Sequence, residues 1–202
     1  MVRIGIACEG ATEREFVNEV LQPYFVATHS ASVTGIDMRG NISVERICND
    51  LRKLVHSFDI VSTLVDFYGF RNVGNDDIQT LEGKLSNCIS EDKRRFFLPY
   101  VQQYEFEALV FSCTEKIVTE FPEVTLESIE NIISECGGCE EINNHRDTAP
   151  SKRLIGLCEG YDKKLHGPSI CSSGGLAKIR SACPRFDAWV TRMEDLIVEH
   201  RA

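Results

Sequence analysis

Apolar and polar positions alternate over residues 2–8, which predicts an opening strand. Glu9-Gly10-Ala11 reads as a turn. Thr12, with Glu15 three residues later, predicts a capped helix start. Phe16, Val17, Val20, Leu21 and Tyr24 follow at helical spacing. Residues 33–38 predict a second strand, closed by Arg39-Gly40-Asn41. Val44, Ile47, Cys48, Leu51, Leu54 and Val55 share one helical face, and 60–65 is an apolar run of strand type that ends on Asp66. The order β-α-β-α-β over these 66 residues predicts an α/β fold: a mostly parallel sheet flanked by helices.

Further along, 72–77 reads as a polar loop, followed by a helix to about Ile89 and a buried strand over 96–103. A helix is expected over 106–111. The pattern then becomes helical and more broken, at 126–134, 151–158, 176–182 and 186–199. Gly137-Gly138 and the 143–150 stretch mark the best internal boundary. The division expected is an α/β core over 1–135 and a helical C-terminal part over 136–202 packed on it, or the two as one single domain.

Composition changes this picture only in part. The chain has 202 residues, enough for one domain with a real core. No apolar run approaches the ~18–20 residues that span a bilayer, and the opening strand meets Glu9 too early for a signal peptide. Nine cysteines, odd in number and set mostly in apolar patterns (Cys8, Cys48, Cys88, Cys113, Cys158), read as reduced thiols in a cytoplasmic protein. Cys136-Gly-Gly-Cys139 has half of a zinc spacing, but no second pair accompanies it, and a plain turn is the reading. A net charge of −9 argues against nonspecific coating of nucleic acid. The charge is uneven: 150–202 carries +3 and the remainder −12.

The acids at the strand ends carry the candidate chemistry. In a parallel α/β sheet, ligands gather outside the carboxyl ends of the strands. Glu9 lies one residue past the first strand and Asp66 at the end of the third, so parallel neighbours would project both from one edge. Glu13, in the first turn of the following helix, can lean toward them. Such hard oxygen ligands suit Mg²⁺ or Mn²⁺. Helix capping and the helix dipole account for Glu13 as well.

Glu9-Gly10-Ala11-Thr12-Glu13 resembles the signature that opens Toprim-like domains. More closely, the chain resembles the uncharacterised DUF4276 family of that superfamily. The matching stretches are Glu9 to Glu13, Val65-Asp66-Phe67-Tyr68-Gly69, Tyr100 to Leu109, Ala149 to Leu154, Leu176 to Arg180 and Cys183-Pro184-Arg185-Phe186. The resemblance implies a Toprim-like, Rossmann-like fold and a divalent metal held by Glu9, Glu13 and Asp66. The chain departs from the superfamily pattern where a second Asp is expected: Tyr68 stands there. Glu105 or Glu107 would supply the missing ligand. On a helix the two point apart, so at most one serves, with Glu105 preferred as nearer the strand end. The family often has His where this chain has Tyr104 and Arg185.

Basic residues in the C-terminal part complete the expected site. Lys152, just inside a helix start, is the candidate catalytic cation beside Glu9 and Asp66. Arg153, Lys163, His166, Lys178 and Arg180 are the candidate phosphate or nucleic-acid contacts. Phe186 and Trp189 read as a core seam. The resemblance implies a Mg²⁺- or Mn²⁺-dependent nuclease of DNA or RNA, working beside an ATPase in prokaryotic anti-phage defence, with self-association as a further expectation. The alternative is a weakened or inactive subunit kept as a protein-binding or regulatory module. A topoisomerase would need further domains.

Overall fold

The computed structural model describes every residue except Asn72 and Asn144, and the backbone alone of Arg146. The loop expected at 72–77 and the boundary stretch at 143–150 each contain one of these two positions, which lie outside the described residues. Strand β1 (Val2–Cys8) leads to α1 (Ala11–Phe16), a π-helical turn (Val17–Leu21) and α2 (Gln22–His29). Then come β2 (Ala31–Asp37), α3 (Val44–Leu54), β3 (Ile60–Asp66), α4 (Ile78–Asn87) and α5 (Glu91–Arg94). Short strands β4 (Phe97–Leu98) and β5 (Val101–Gln102) complete the sheet. The rest is helical: α6 (Glu107–Phe111), α7 (Thr114–Glu120), α8 (Leu126–Cys136), α9 (Pro150–Leu157), α10 (Lys163–Gly174), α11 (Leu176–Ala182) and α12 (Pro184–Arg201).

The sheet is parallel, in the order β2-β1-β3-β4, with β5 also pairing with β3. Its two faces carry separate apolar clusters. Ile4, Ile6, Ile60 and Leu64 face α1, α2 and the C-terminal helices. Ala7, Val61 and Val65 face α3 and α4. With both faces covered, β3 is buried from Ile60 to Val65, which is why it reads as a continuous apolar run. The C-terminal helix α12 lays Phe186, Trp189, Val190, Met193, Leu196 and Ile197 onto the first cluster. Trp189 stacks on Tyr100 at 4.6 Å and donates its indole N–H to Ser62 Oγ at 2.9 Å. The two aromatics are core, as their spacing indicates.

Four expectations are corrected. The helix start is not capped by Thr12 and Glu15. Gly10 is the N-cap, Glu13 reaches back to its N–H at 2.9 Å, and Glu15 pairs with Arg14. The strand at 96–103 is broken into β4 and β5, because Pro99 has no N–H to donate. Thr63 Oγ1 bridges the gap, accepting from Tyr100 N–H and donating to Tyr100 O, both at 2.8 Å. Helix α10 occupies a stretch to which the sequence pattern assigns no element. Gly167, Pro168 and Gly174 hide it from any helical pattern, yet Gly167 is what lets it dock: an added Cβ would meet the Phe106 ring at 3.3 Å. Lastly, Cys48 and Cys88 are joined in a disulfide between α3 and the end of α4, whereas all nine thiols read as reduced. Gly137 and Gly138 do form the turn expected between Cys136 and Cys139, with φ of 88° and 143°.

Candidate metal centre

Parallel pairing of β1 with β3 sets Cys8 opposite Leu64, and the Glu9 N–H continues the ladder to Leu64 O at 3.1 Å. Glu9 and Asp66 therefore leave the sheet at the same edge. The Glu9 carboxylate is seated by the Asp66 N–H, which donates to Oε2 at 3.2 Å. Gly69 makes room for it: a Cβ there would lie 2.0 Å from Glu9 Oε2. Glu13 is buried in the first turn of α1, its Oε2 on the Gly10 N–H. Asp66 Oδ1 is buried and has no hydrogen-bond partner among the described residues.

A second loop brings two further acids. After β5 the chain turns through Tyr104, whose φ is 63°, and carries Glu105 ahead of α6 and Glu107 as the first residue of that helix. The expected opposition of Glu105 and Glu107 does not arise, because Glu105 precedes the helix. Both meet one ammonium group: Lys163 Nζ lies 3.8 Å from Glu105 Oε1 and 3.6 Å from Glu107 Oε1. Glu105 Oε2 also accepts the Ser151 N–H at 2.9 Å, at the start of α9. Tyr68, at the position of the missing Asp, ties the two loops together. Its N–H donates to Tyr104 O at 3.1 Å, and its hydroxyl accepts from Asn143 Nδ2.

The electrostatics are those of crowded acids. Burial, followed by the Glu13 and Glu9 charges, pushes the Asp66 carboxyl well above the ordinary range. Glu13 is pushed up to about 7, by burial and then by Glu9, against the hydrogen bonds that favour its charge. Burial takes Glu107 to about 7 in spite of Lys163. Glu9 is raised too, mainly by burial. Burial works against the Lys163 ammonium, but Glu107, Glu105 and Asp66 outweigh it and raise its pKa. Such clustering of perturbed carboxyls is what a functional site produces.

Glu9, Glu13, Asp66 and Glu105, the expected ligands, thus interact in one cluster, joined by Glu107 and Lys163. Lys163 was expected on phosphate; here it neutralises acids. Among the described residues, the other expected cations make no ion pair with these acids. Lys152 is exposed in α9, and Arg153 Nε donates to Thr148 O at 3.1 Å. His166 Nδ1 accepts the Asp162 N–H at 2.8 Å, and its ring packs on Phe121 and Tyr161. Lys178 pairs with Glu115, and Arg180 with Asp187 and Glu194. Among the described residues, Lys163 is the one cation within ion-pair distance of any of these five carboxylates, and it reaches Glu105 and Glu107. Arg185 is held by Val101 O and Glu82 and lies over the Tyr100 ring.

Hard carboxylate oxygens suit a divalent cation of the Mg²⁺ class, and an orphaned buried oxygen at the centre fits one. Among the described residues no group of three His, Cys, Asp or Glu side chains lies close enough together to hold a metal ion.

The fold and these residues define a parallel, doubly wrapped α/β protein with a carboxylate cluster at the carboxyl ends of its strands. The chain belongs to the family described as "Domain of unknown function (DUF4276)", whose profile matches residues 8–194. Among solved structures it is similar to the C-terminal region of the OLD protein of Xanthomonas campestris pv. campestris. In one determination the identity is 16%, with 98% of each chain covered and a TM-score of 0.44. In a second the identity is 18%, with 99% of this chain and 96% of the other covered and a TM-score of 0.42. No curated protein matches the sequence. Among the described residues, no helix is long and apolar enough to cross a membrane.

Proposed function

We propose that the chain is a Mg²⁺- or Mn²⁺-dependent phosphodiesterase acting on nucleic acid. The observation that carries this reading is Asp66 Oδ1, buried beside Glu9, Glu13, Glu105 and Glu107 and without a hydrogen-bond partner among the described residues. A buried acceptor without a donor costs about 1–3 kcal/mol, more if charged, and a cation removes that cost. Glu9, Glu13 and Asp66 would hold the ion, which when bound orients a phosphate, polarises it and activates water. Glu105, capping α9 through Ser151, positions the start of that helix beside the cluster. Lys163 supplies a fixed positive charge to which a phosphate oxygen can be drawn. A groove of about 440 Å³ lined by Phe67, Gln79, Gln103 and Tyr104 borders the loops that carry Asp66 and Glu105, and offers aromatic surface to a base.

The substrate is DNA or RNA, Lys152 and Arg153 are retained as outer phosphate contacts, and an ATPase partner in anti-phage defence in the cytoplasm is the setting that the Toprim resemblance suggests. A second reading, a non-catalytic binding module, is favoured by Tyr68, which stands where a second Asp is expected. The test is incubation with labelled DNA, RNA and tRNA, with Mg²⁺ or Mn²⁺, comparing Glu9→Gln and Asp66→Asn. Metal-dependent cleavage lost in both variants supports the enzyme. No cleavage with any metal, with or without an added ATPase, sinks it in favour of the binding module.

A further inference from the structure

We propose that the amino end of the sheet carries a second binding site, a cavity lined by Phe58, Phe96, Lys93 and His56 that takes a nucleoside monophosphate. It lies at the opposite end of the strands from the carboxylate cluster and stands apart from the metal reading. Its volume is about 430 Å³, within the roughly 300–1,000 Å³ of small-molecule sites. That is room for one nucleotide, not for a strand.

The sheet builds the walls. Strands β1, β3 and β4 are parallel, so Arg3, Asp59 and Phe96 meet at one end. The Asp59 N–H donates to Arg3 O, and the Val61 N–H to Phe96 O, both at 2.9 Å, so the ladder fixes all three. The Phe58 ring lies against bare backbone at Gly5, where an added Cβ would come within 2.5 Å of it. Phe96 is a second aromatic wall. The His200 ring meets it edge-on at 5.0 Å, and the Arg95 guanidinium lies 5.1 Å from its centre.

The charges on these walls are unequally satisfied. Asp59 Oδ2 accepts the Arg3 N–H at 2.8 Å, and Oδ1 lies 3.6 Å from the Arg3 guanidinium. Asp92 is held below the ordinary carboxylate range by a hydrogen bond from the Ser90 side chain and then by the Lys93 and His56 charges. Both acids thus have partners. Among the described residues, the side chains of Lys93 and His56 make no hydrogen bond and no ion pair. Lys93 is half-buried, so some of its hydration is already lost, and an anion would restore what the protein does not supply. This is the reverse of the carboxylate cluster, where Lys163 is ion-paired to two acids. A ligand that satisfies the cavity joins a flat ring, packed on the phenyl walls, to a compact anion on Lys93 and His56. A nucleoside monophosphate has both halves. Either half alone leaves the rings or the cations unmatched.

The test is isothermal titration calorimetry of the full chain at neutral pH in EDTA, with AMP, adenosine and inorganic phosphate as probes. The proteins are the wild type, Lys93→Gln, Phe58→Leu and Glu9→Gln. Expected is one saturable AMP site, with adenosine and phosphate each at least tenfold weaker. Lys93→Gln should weaken AMP about tenfold and leave adenosine unchanged, Phe58→Leu should weaken both, and Glu9→Gln should change neither. No saturation by about 1 mM AMP, where binding is worth only about 4 kcal/mol, overturns the proposal. So does phosphate binding as tightly as AMP, or AMP affinity unchanged in Lys93→Gln. AMP binding lost in Glu9→Gln would place the nucleotide at the carboxylate cluster and overturn it too. If Phe58→Leu does not fold, Lys93→Gln decides, because that side chain has no partner to lose.

Discussion

Glu13→Gln should stabilise the metal-free protein at neutral and higher pH, with the effect vanishing in acid. The folded Glu13 carboxyl stands at about 7 against an ordinary 4.5. Between these values the folded chain binds more protons than the unfolded one, so stability falls as pH rises. Above both, the deficit is about 3 kcal/mol, since each unit is worth about 1.4 kcal/mol. Gln keeps an oxygen for the Gly10 N–H and has no charge to repel Glu9 and Asp66. In a chain of 202 residues this corresponds to a melting temperature higher by roughly 6–12 °C at pH 8. The assay is thermal unfolding in EDTA from pH 4.5 to 8. Curves for the two proteins should meet near pH 4.5, separate up to about pH 7 and keep a constant gap above it. Parallel curves, or a variant less stable at pH 8, would refute the claim that the acids store repulsion. Saturating Mn²⁺ should reverse the order, because only the wild type keeps the full ligand set.

Gly69→Ala should displace the Glu9 carboxylate, 2.0 Å from the new Cβ. It should cost about 1–3 kcal/mol and weaken Mn²⁺ binding, measured calorimetrically; undiminished binding would remove Glu9 from the ligand set. Ser62→Ala leaves the buried Trp189 N–H without its acceptor. Urea unfolding should show a loss of about 1–3 kcal/mol, and a loss below 0.5 kcal/mol would mean that the indole finds another partner. Reduction of Cys48–Cys88, which closes a separation of 40 residues, should lower stability by up to about 4 kcal/mol. The melting temperature should respond to reductant in the wild type and not in Cys48→Ser.

Strand β3 and the helix face of α3 were legible because local period and burial agree: residues 60–65 are covered on both sides, and Ile47, Cys48 and Leu51 repeat at helical spacing. Helix α10 was not legible. Its Gly167, Pro168 and Gly174 are poor helix formers individually, and its stability comes from packing against α1 and α6. The capping box was misplaced by two residues for a related reason: Gly10 has no side chain to announce an N-cap. The break at Pro99 is repaired by Thr63, which meets Tyr100 across 37 positions, beyond any local pattern.

By itself the sequence determined which acids end the strands. Glu9 and Asp66 sit at fixed offsets from apolar runs, and parallel pairing of those runs leaves one edge for both. Only the tertiary structure decided what faces them. Glu107 and Lys163 are separated from Glu9 by about half and three-quarters of the chain, and their meeting depends on how α6 and α10 dock, not on any spacing. Charge is a long-range quantity and burial a collective one. A carboxylate at about 7 and an ammonium set among acids are therefore properties of the packed molecule.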